Sequence, residues 1–588
     1  MHKMLTPFGE KLNKDLPLND YPRPQMARDS FINLNGKWQY AILDKHEKLS
    51  SYQGEIIVPF SPETILSGVE RIVKPSDVLY YYKKFDFEKQ NDRVLLHFGA
   101  VDYRCTVKIN GKEVGSHKGG YYAFTFDITE QIIDGSNEIE VIVTDPTDNG
   151  SQARGKQTLH RGGIWYTSQS GIWQTVWIEQ VPDNYIKNIK LTPNIDDSNI
   201  KVEVAFSLNA EKTLFAVNDA DGNTVITAES DDGNVIIPIK DAKLWSPESP
   251  YLYDIVIDGG KDEVKSYFGM RKFSVGKDKD GISRIMLNNE PYFHNGLLDQ
   301  GYWSDGLYTA PTDEAMIYDI QTMKDMGFNM LRKHIKIEPM RWYYHCDRLG
   351  MIVWQDMISG GDPINALCTQ VVPAFDLAFC CKKFEVKDTE KNYKFFARTD
   401  RIGREEYYED SKTMIEQLFN VVSIAVWVPF NEGWGQFDSV KAYEFYKAQD
   451  DTRIIDHASG FHDQGSGDLN SFHIYFTAFK FPKYNKNDDR VIALTEFGGY
   501  SIRCDGHVYN TDKMFGYRKY KNKESYTKAI EKLYVNKMQK LIKKGLSATV
   551  YTEVSDVEDE CNGLLTYDRK VVKIDIETMK KINEGMKL

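Results

Sequence analysis

No apolar run in the 588 residues approaches the roughly 18 to 20 that a membrane-spanning helix needs. The opening residues, MHKMLTPFGEKLNKDLPLND, lack the apolar core of a secretory signal. Cysteine is scarce and unpatterned: seven residues, an odd number, run from Cys105 to Cys561 with no C-x-x-C spacing. This excludes a disulfide framework and a cysteine-built zinc site as organising devices, and it predicts a cytoplasmic protein with reduced thiols. Excess positive charge is also missing. A formal net charge of −12 and a pI near 5.6 argue against nucleic acid or an anionic membrane as the main partner. No internal repeat is visible.

Length and aromatics are what the chain does have. Its 588 residues exceed what a single core holds and suggest two to four domains. Aromatics at 13%, including 35 Tyr and 10 Trp, suit β-sandwich cores and flat platforms for sugar rings.

Residues 1 to about 30 are rich in proline and charge and are expected to lie extended over a neighbouring surface. From Phe31 to about Pro182, short alternating runs separated by turn signals predict an antiparallel, jelly-roll-like sandwich, with Asn110-Gly111 as a hairpin turn. Residues 183–278 repeat the texture on a smaller scale and predict an immunoglobulin-like sandwich. From 279 to 588 strands alternate with helices. Strand one is placed at Tyr292–Asn295, two at Asn329–Arg332, three at Met351–Gln355 and four at Ile424–Phe430. Strands five to eight fall at Arg453–Asp456, Phe472–Tyr475, Val491–Leu494 and Ala548–Thr552. Eight strands with interleaved helices make a (β/α)8 barrel. Residues 359–401, too long for a plain connection, are expected to form a rim to its mouth.

Two of these strands run into a glutamate. Strand four leads to Asn431-Glu432-Gly433-Trp434-Gly435, and 64 residues after Glu432, strand seven leads to Thr495-Glu496-Phe497-Gly498-Gly499. Both glutamates face the same barrel mouth on this count. A pair of facing carboxyls is what glycoside cleavage requires, one to protonate the leaving oxygen and one to stand at the anomeric carbon. Glu432 is assigned as acid/base and Glu496 as nucleophile. Asn431 is placed to hydrogen-bond the sugar hydroxyl beside the anomeric carbon.

The order sandwich, immunoglobulin-like domain, barrel, with Trp427–Gly435 and Thr495–Gly499, resembles glycoside hydrolase family 2 over roughly residues 30 to 588. Gly171–Glu179 resembles the closing strand of that family's sandwich, and Leu244–Tyr253 the turn in its second domain. The family includes β-galactosidases, β-glucuronidases and β-mannosidases. The resemblance implies retention through a covalent glycosyl-enzyme, with carboxyls about 5 to 5.5 Å apart. It further implies substrate-site roles for Arg332, His334, Asp356, His473 and Tyr475. Trp434, Trp303 and Phe497 are candidate sugar platforms. The family's glucuronidases carry an Asn-x-Lys motif after the nucleophile. It is missing here, where Asn522-Lys523-Glu524 stands in roughly that region, so Lys333, His334 and Lys336 are the remaining candidates for gripping a sugar carboxylate. The leading expectation is an exo-acting β-galactosidase; the alternatives are a β-glucuronidase or related uronidase and, from another class, a non-catalytic carbohydrate-binding protein. No cofactor and no metal site are expected. A homo-oligomer is.

Overall fold

The computed structural model describes residues 4–371, 385–475 and 488–588. The neighbours Cys380 and Cys381 and the middle of the expected rim lie outside them.

The chain folds as an N-terminal sandwich, an immunoglobulin-like sandwich and a C-terminal barrel. In the first, a six-stranded sheet packs against a four-stranded one. The alternation read from sequence has a physical counterpart: along Gly135–Thr144, Ile139, Val141 and Val143 point into the core while their neighbours face outward. Asn110 and Gly111 both adopt left-handed backbone, with φ of 50° and 75°. That is the geometry of a tight hairpin turn, and it joins Arg104–Ile109 to Lys112–Lys118. The second sandwich has sheets of three and four strands, from Ile186–Asn194 to Glu263–Phe268. The N-terminal arm ties the two together. The buried Arg28 guanidinium bonds Glu179 of the first at 2.9 Å and Asp262 of the second at 2.7 Å.

The barrel strands are His294–Asp299, Met330–Lys333, Ile352–Asp356, Ile424–Val428, Ile454–Ile455, Leu469–Ile474, Val491–Gly498 and Leu546–Thr552, called strands one to eight below. They run parallel in the spatial order 5-4-3-2-1-8-7-6. Among the described residues no ladder joins strand five to strand six, so the barrel is nearly closed. Strand one begins two residues later than expected and runs on to Asp299. Strand five shrinks to two residues because the chain leaves the sheet at Asp456. Before strand eight, the helix Lys523–Leu533 passes through a π-turn at Tyr534–Met538 into a short helix, Gln539–Ile542. A final helix, Ile576–Asn583, was not anticipated.

One end of the barrel is plugged. Phe273, Ile285 and Leu287, on the hairpin between the second sandwich and strand one, pack with Met330, Ile352, Val491 and Ala548, at or near the starts of their strands. The carboxyl ends of the strands form the opposite, open mouth. The first sandwich packs beside that mouth: Tyr121, Tyr166 and Trp173 share a core with Tyr302 and Tyr308. No helix among the described residues is long and apolar enough to cross a membrane.

Candidate active site

Strand four stops at Val428 because Pro429 has no N–H to continue the ladder. The chain then turns sharply. Glu432 has φ of +51°, followed by Gly433 at +74° and Gly435 at +69°. A left-handed glutamate costs about 1–2 kcal/mol, and its N–H is held by the Ser459 carbonyl at 3.0 Å. A side chain at Gly435 would collide with the Gly360 carbonyl, 2.2 Å from the position of its Cβ. The turn is thus fixed by close backbone approach.

Glu496 is delivered by a different device. On strand seven, Leu494 pairs with Thr549 and Phe497 with Tyr551. Thr495 and Glu496 therefore face only Val550, which makes a β-bulge. The same extra residue appears against strand six, between Phe472 and His473. Bulges re-aim a side chain, and this one carries Glu496 to the mouth before the strand ends.

The two carboxylates meet there. Oxygens of Glu432 and Glu496 and a ring nitrogen of His473 all lie within 4.8 Å of one another. The Nδ1 of His473 is 2.8 Å from Oε1 of Glu432 and 3.6 Å from Oε1 of Glu496. Arg332 Nε and Nη2 grip both oxygens of Asp356 at 2.9 and 3.0 Å, and Nη2 also donates to Asn431 Oδ1 at 2.8 Å. Its Nη1 reaches Glu496 Oε1 at 3.3 Å. The Tyr475 hydroxyl donates to the other oxygen of Glu496. His334 Nδ1 lies 2.8 Å from Asp356 Oδ2. Three groups at this spacing could hold a metal ion, but the hydrogen bonds among them already account for the cluster.

Burial sets the proton affinities. It pushes Glu432 up to about 7, against the pull of the Lys156 and Arg332 charges. Burial also raises Glu496, opposed by His473 and Arg332. The His473 imidazole, wholly buried, is lowered to about 4 and is neutral at pH 7.

Six of the nine residues singled out from sequence line one cavity of about 770 Å³: Asn431, Glu432, Trp434, Tyr475, Glu496 and His334. The other three do not. Arg332, Asp356 and His473 are fully buried and lie beneath the carboxylates as their supports. Their charges and hydrogen bonds are spent on protein partners. Trp303 sits under the Arg569 guanidinium and Phe497 packs on Tyr551, both away from the cavity. Lys333 and Lys336 are also internal: Lys333 bonds Asp299 and Glu338, and Lys336 bonds Glu338 and two carbonyls.

The sequence reading named no site residue in the first sandwich. Lys156, Gln157, His160 and Trp165 line the same cavity, and Arg154 and Gly155 donate backbone hydrogen bonds to the Ser359 carbonyl of the rim. The only trace in the sequence is Gly162-Gly163, a turn signal beside a tryptophan.

Residues 71–175 match the galactose-binding-like domain of glycosyl hydrolase family 2, residues 184–271 the family's central domain, and residues 282–588 its TIM barrel domain. The chain belongs to glycosyl hydrolase family 2. A β-galactosidase from Actinobacillus pleuropneumoniae is 25% identical over 486 residues, 78% of this chain and 44% of that protein. A putative β-glucuronidase from Formosa agariphila is 29% identical over 300 residues, 48% of this chain and 27% of that one. The chain thus spans less than half the length of these two relatives. Among solved structures, the β-glucuronidase of Ruminococcus gnavus bound to uronic isofagomine superposes with a TM-score of 0.74 at 17% identity, covering 96% of this chain and 98% of that one. The β-glucuronidase of Dictyoglomus thermophilum gives 0.72 at 19%, with the same coverage. At such identities the likeness is one of fold.

Proposed function

We propose that the protein is a retaining exo-β-glycosidase, with Glu496 as nucleophile and Glu432 as acid/base. The observation that carries this is the approach of the two carboxylates to within 4.8 Å. Inverting enzymes hold theirs about 6.5–9.5 Å apart to admit a water. In the first step Glu496 bonds the anomeric carbon while the Glu432 proton passes to the departing oxygen. In the second, Glu432 takes a proton from water, which attacks the anomeric carbon and releases Glu496. Tyr475 and Arg332 each occupy one oxygen of Glu496 and favour its ionised form. Arg332 can only donate, so Asn431 turns its carbonyl oxygen to it and keeps its amide hydrogens for a sugar hydroxyl.

For the glycone, β-galactosides are supported by the relatives named β-galactosidase, one of them aligned over 78% of this chain. One observation favours a second reading, a β-uronide. Among the described residues the Lys156 ammonium has no hydrogen-bond or ion-pair partner, only the Tyr166 ring at 5.4 Å. It lines the cavity, and its charge acts on Glu432 and His334. Lys333, Lys336, Arg154 and Arg161 are engaged elsewhere. Hydrolysis of p-nitrophenyl galactoside, glucuronide, galacturonide, mannoside, glucoside and fucoside decides the glycone. If a uronide is preferred, Lys156→Met is expected to lower its kcat/KM by roughly 10- to 100-fold, the worth of a charge-assisted hydrogen bond, and to leave the galactoside within about threefold. Uronide turnover indifferent to Lys156→Met removes the second reading.

A further inference from the structure

We propose that the sandwich turn at residues 161–165, set against Trp434, forms a subsite for a second sugar ring on the leaving-group side of the catalytic pair, so that the substrate is an oligosaccharide. This rests on the reading of Glu432 and Glu496 above. The side is fixed by the chemistry: the acid protonates the departing oxygen, so the leaving group lies next to it. Trp434 stands two residues after Glu432 in the same turn, with its backbone N–H on the Asn431 carbonyl at 3.1 Å. Trp165 meets it edge-on, with ring centroids 5.3 Å apart and planes at 89°.

The turn that presents Trp165 is built and anchored. Gly162 and Trp165 exchange backbone hydrogen bonds at 2.8 and 3.2 Å, and Gly163 sits at φ +63°, a conformation glycine adopts without steric cost. Arg161 pins the turn to the loop after strand eight through Asp559 at 3.0 Å. On the other side the Arg154 guanidinium lies 5.6 Å from the Trp434 ring centre, held by the Gly150 and Gly361 carbonyls.

Two features of this corner are unused by the protein. Trp434 is 7% exposed, yet among the described residues its indole N–H has no partner. Buried donors are normally paired, and the residue that carries this one lines the cavity. Trp165 is partly exposed and lines the cavity, and its ring offers an apolar face that matches the C–H face of a sugar ring. The volume agrees: about 770 Å³ is well beyond the roughly 300 Å³ at the low end of small-ligand sites.

The test compares two substrates sharing the glycone found by the panel: a β-linked di- or trisaccharide, which fills the subsite, and the β-glycosyl fluoride, whose leaving group does not. Trp165→Ala is expected to lower the ratio of kcat/KM for oligosaccharide over fluoride at least tenfold. Trp434→Phe, which keeps a ring and removes the donor, is expected to lower it several-fold. Thermal unfolding of both variants checks that each is folded. An unchanged ratio in two folded variants overturns the subsite. A wild-type enzyme inactive on every glycosyl fluoride overturns the catalytic pair, and the subsite with it.

Discussion

Glu496→Gln is expected to abolish turnover, with a loss on the order of 10⁴-fold or more in kcat on every glycoside, activated or not. The reason is geometric as well as chemical. The bulge at Thr495-Glu496 holds the carboxylate where Tyr475 and Arg332 each bond one of its oxygens. The amide occupies the same space but cannot form the covalent glycosyl-enzyme. Steady-state hydrolysis measures the loss. Mass spectrometry after a slow-turnover fluorosugar gives the complement: a glycosyl adduct on Glu496 in the wild type and none in the variant. An adduct on another carboxylate would reassign the nucleophile.

Glu432→Gln is expected to separate substrates by leaving group. A sugar leaving group needs its oxygen protonated, and general acid catalysis is worth about 10²–10⁴-fold, so disaccharide cleavage falls by that order. Aryl glycosides with good leaving groups lose far less in the first step. The pH dependence follows the same group. Burial raises Glu432 to about 7, so the acid form predominates below that pH and is lost as pH rises through it. The wild-type rate on a disaccharide should therefore fall above about pH 7, and in Glu432→Gln that alkaline limb should disappear. Burial also raises Glu496 from its ordinary value. Its ionised form is the reactive one, so the acid limb lies above the pH at which an exposed glutamate titrates. Equal losses on both substrate types, or an alkaline limb that survives the substitution, would remove Glu432 from the acid role.

The fold was legible because its signals are local. Alternating runs broken by Asn-Gly turns report sandwiches, and apolar runs ending in a glutamate report barrel strands. The residues beneath the site were harder to assign. Arg332, Asp356 and His473 were expected at the mouth from their strand-end positions. Strand position cannot tell which side chains face the cavity and which lie under it, and that is settled by hydrogen bonds across five strands. The bulge on strand seven and the left-handed backbone of Glu432 leave no pattern in the sequence, because neighbouring strands and the Ser459 carbonyl impose them. Lys156 and Trp165 were invisible as site residues for a different reason. They lie some 270 positions before Glu432, in a stretch that reads as sandwich, and only the docking of two domains brings them to the cavity.

That docking has a consequence for how the protein is made. The sandwich leaves the ribosome well before strand four exists, and domains generally fold as units in the order of synthesis. Its turn at residues 161–165 is thus formed while Glu432 and Glu496 are still unmade, and the salt bridge from Arg161 waits for Asp559, nearly four hundred residues later. The pocket is completed only once residue 559 has been made, so a chain truncated before that point carries both glutamates but not the last anchor of its own active-site wall.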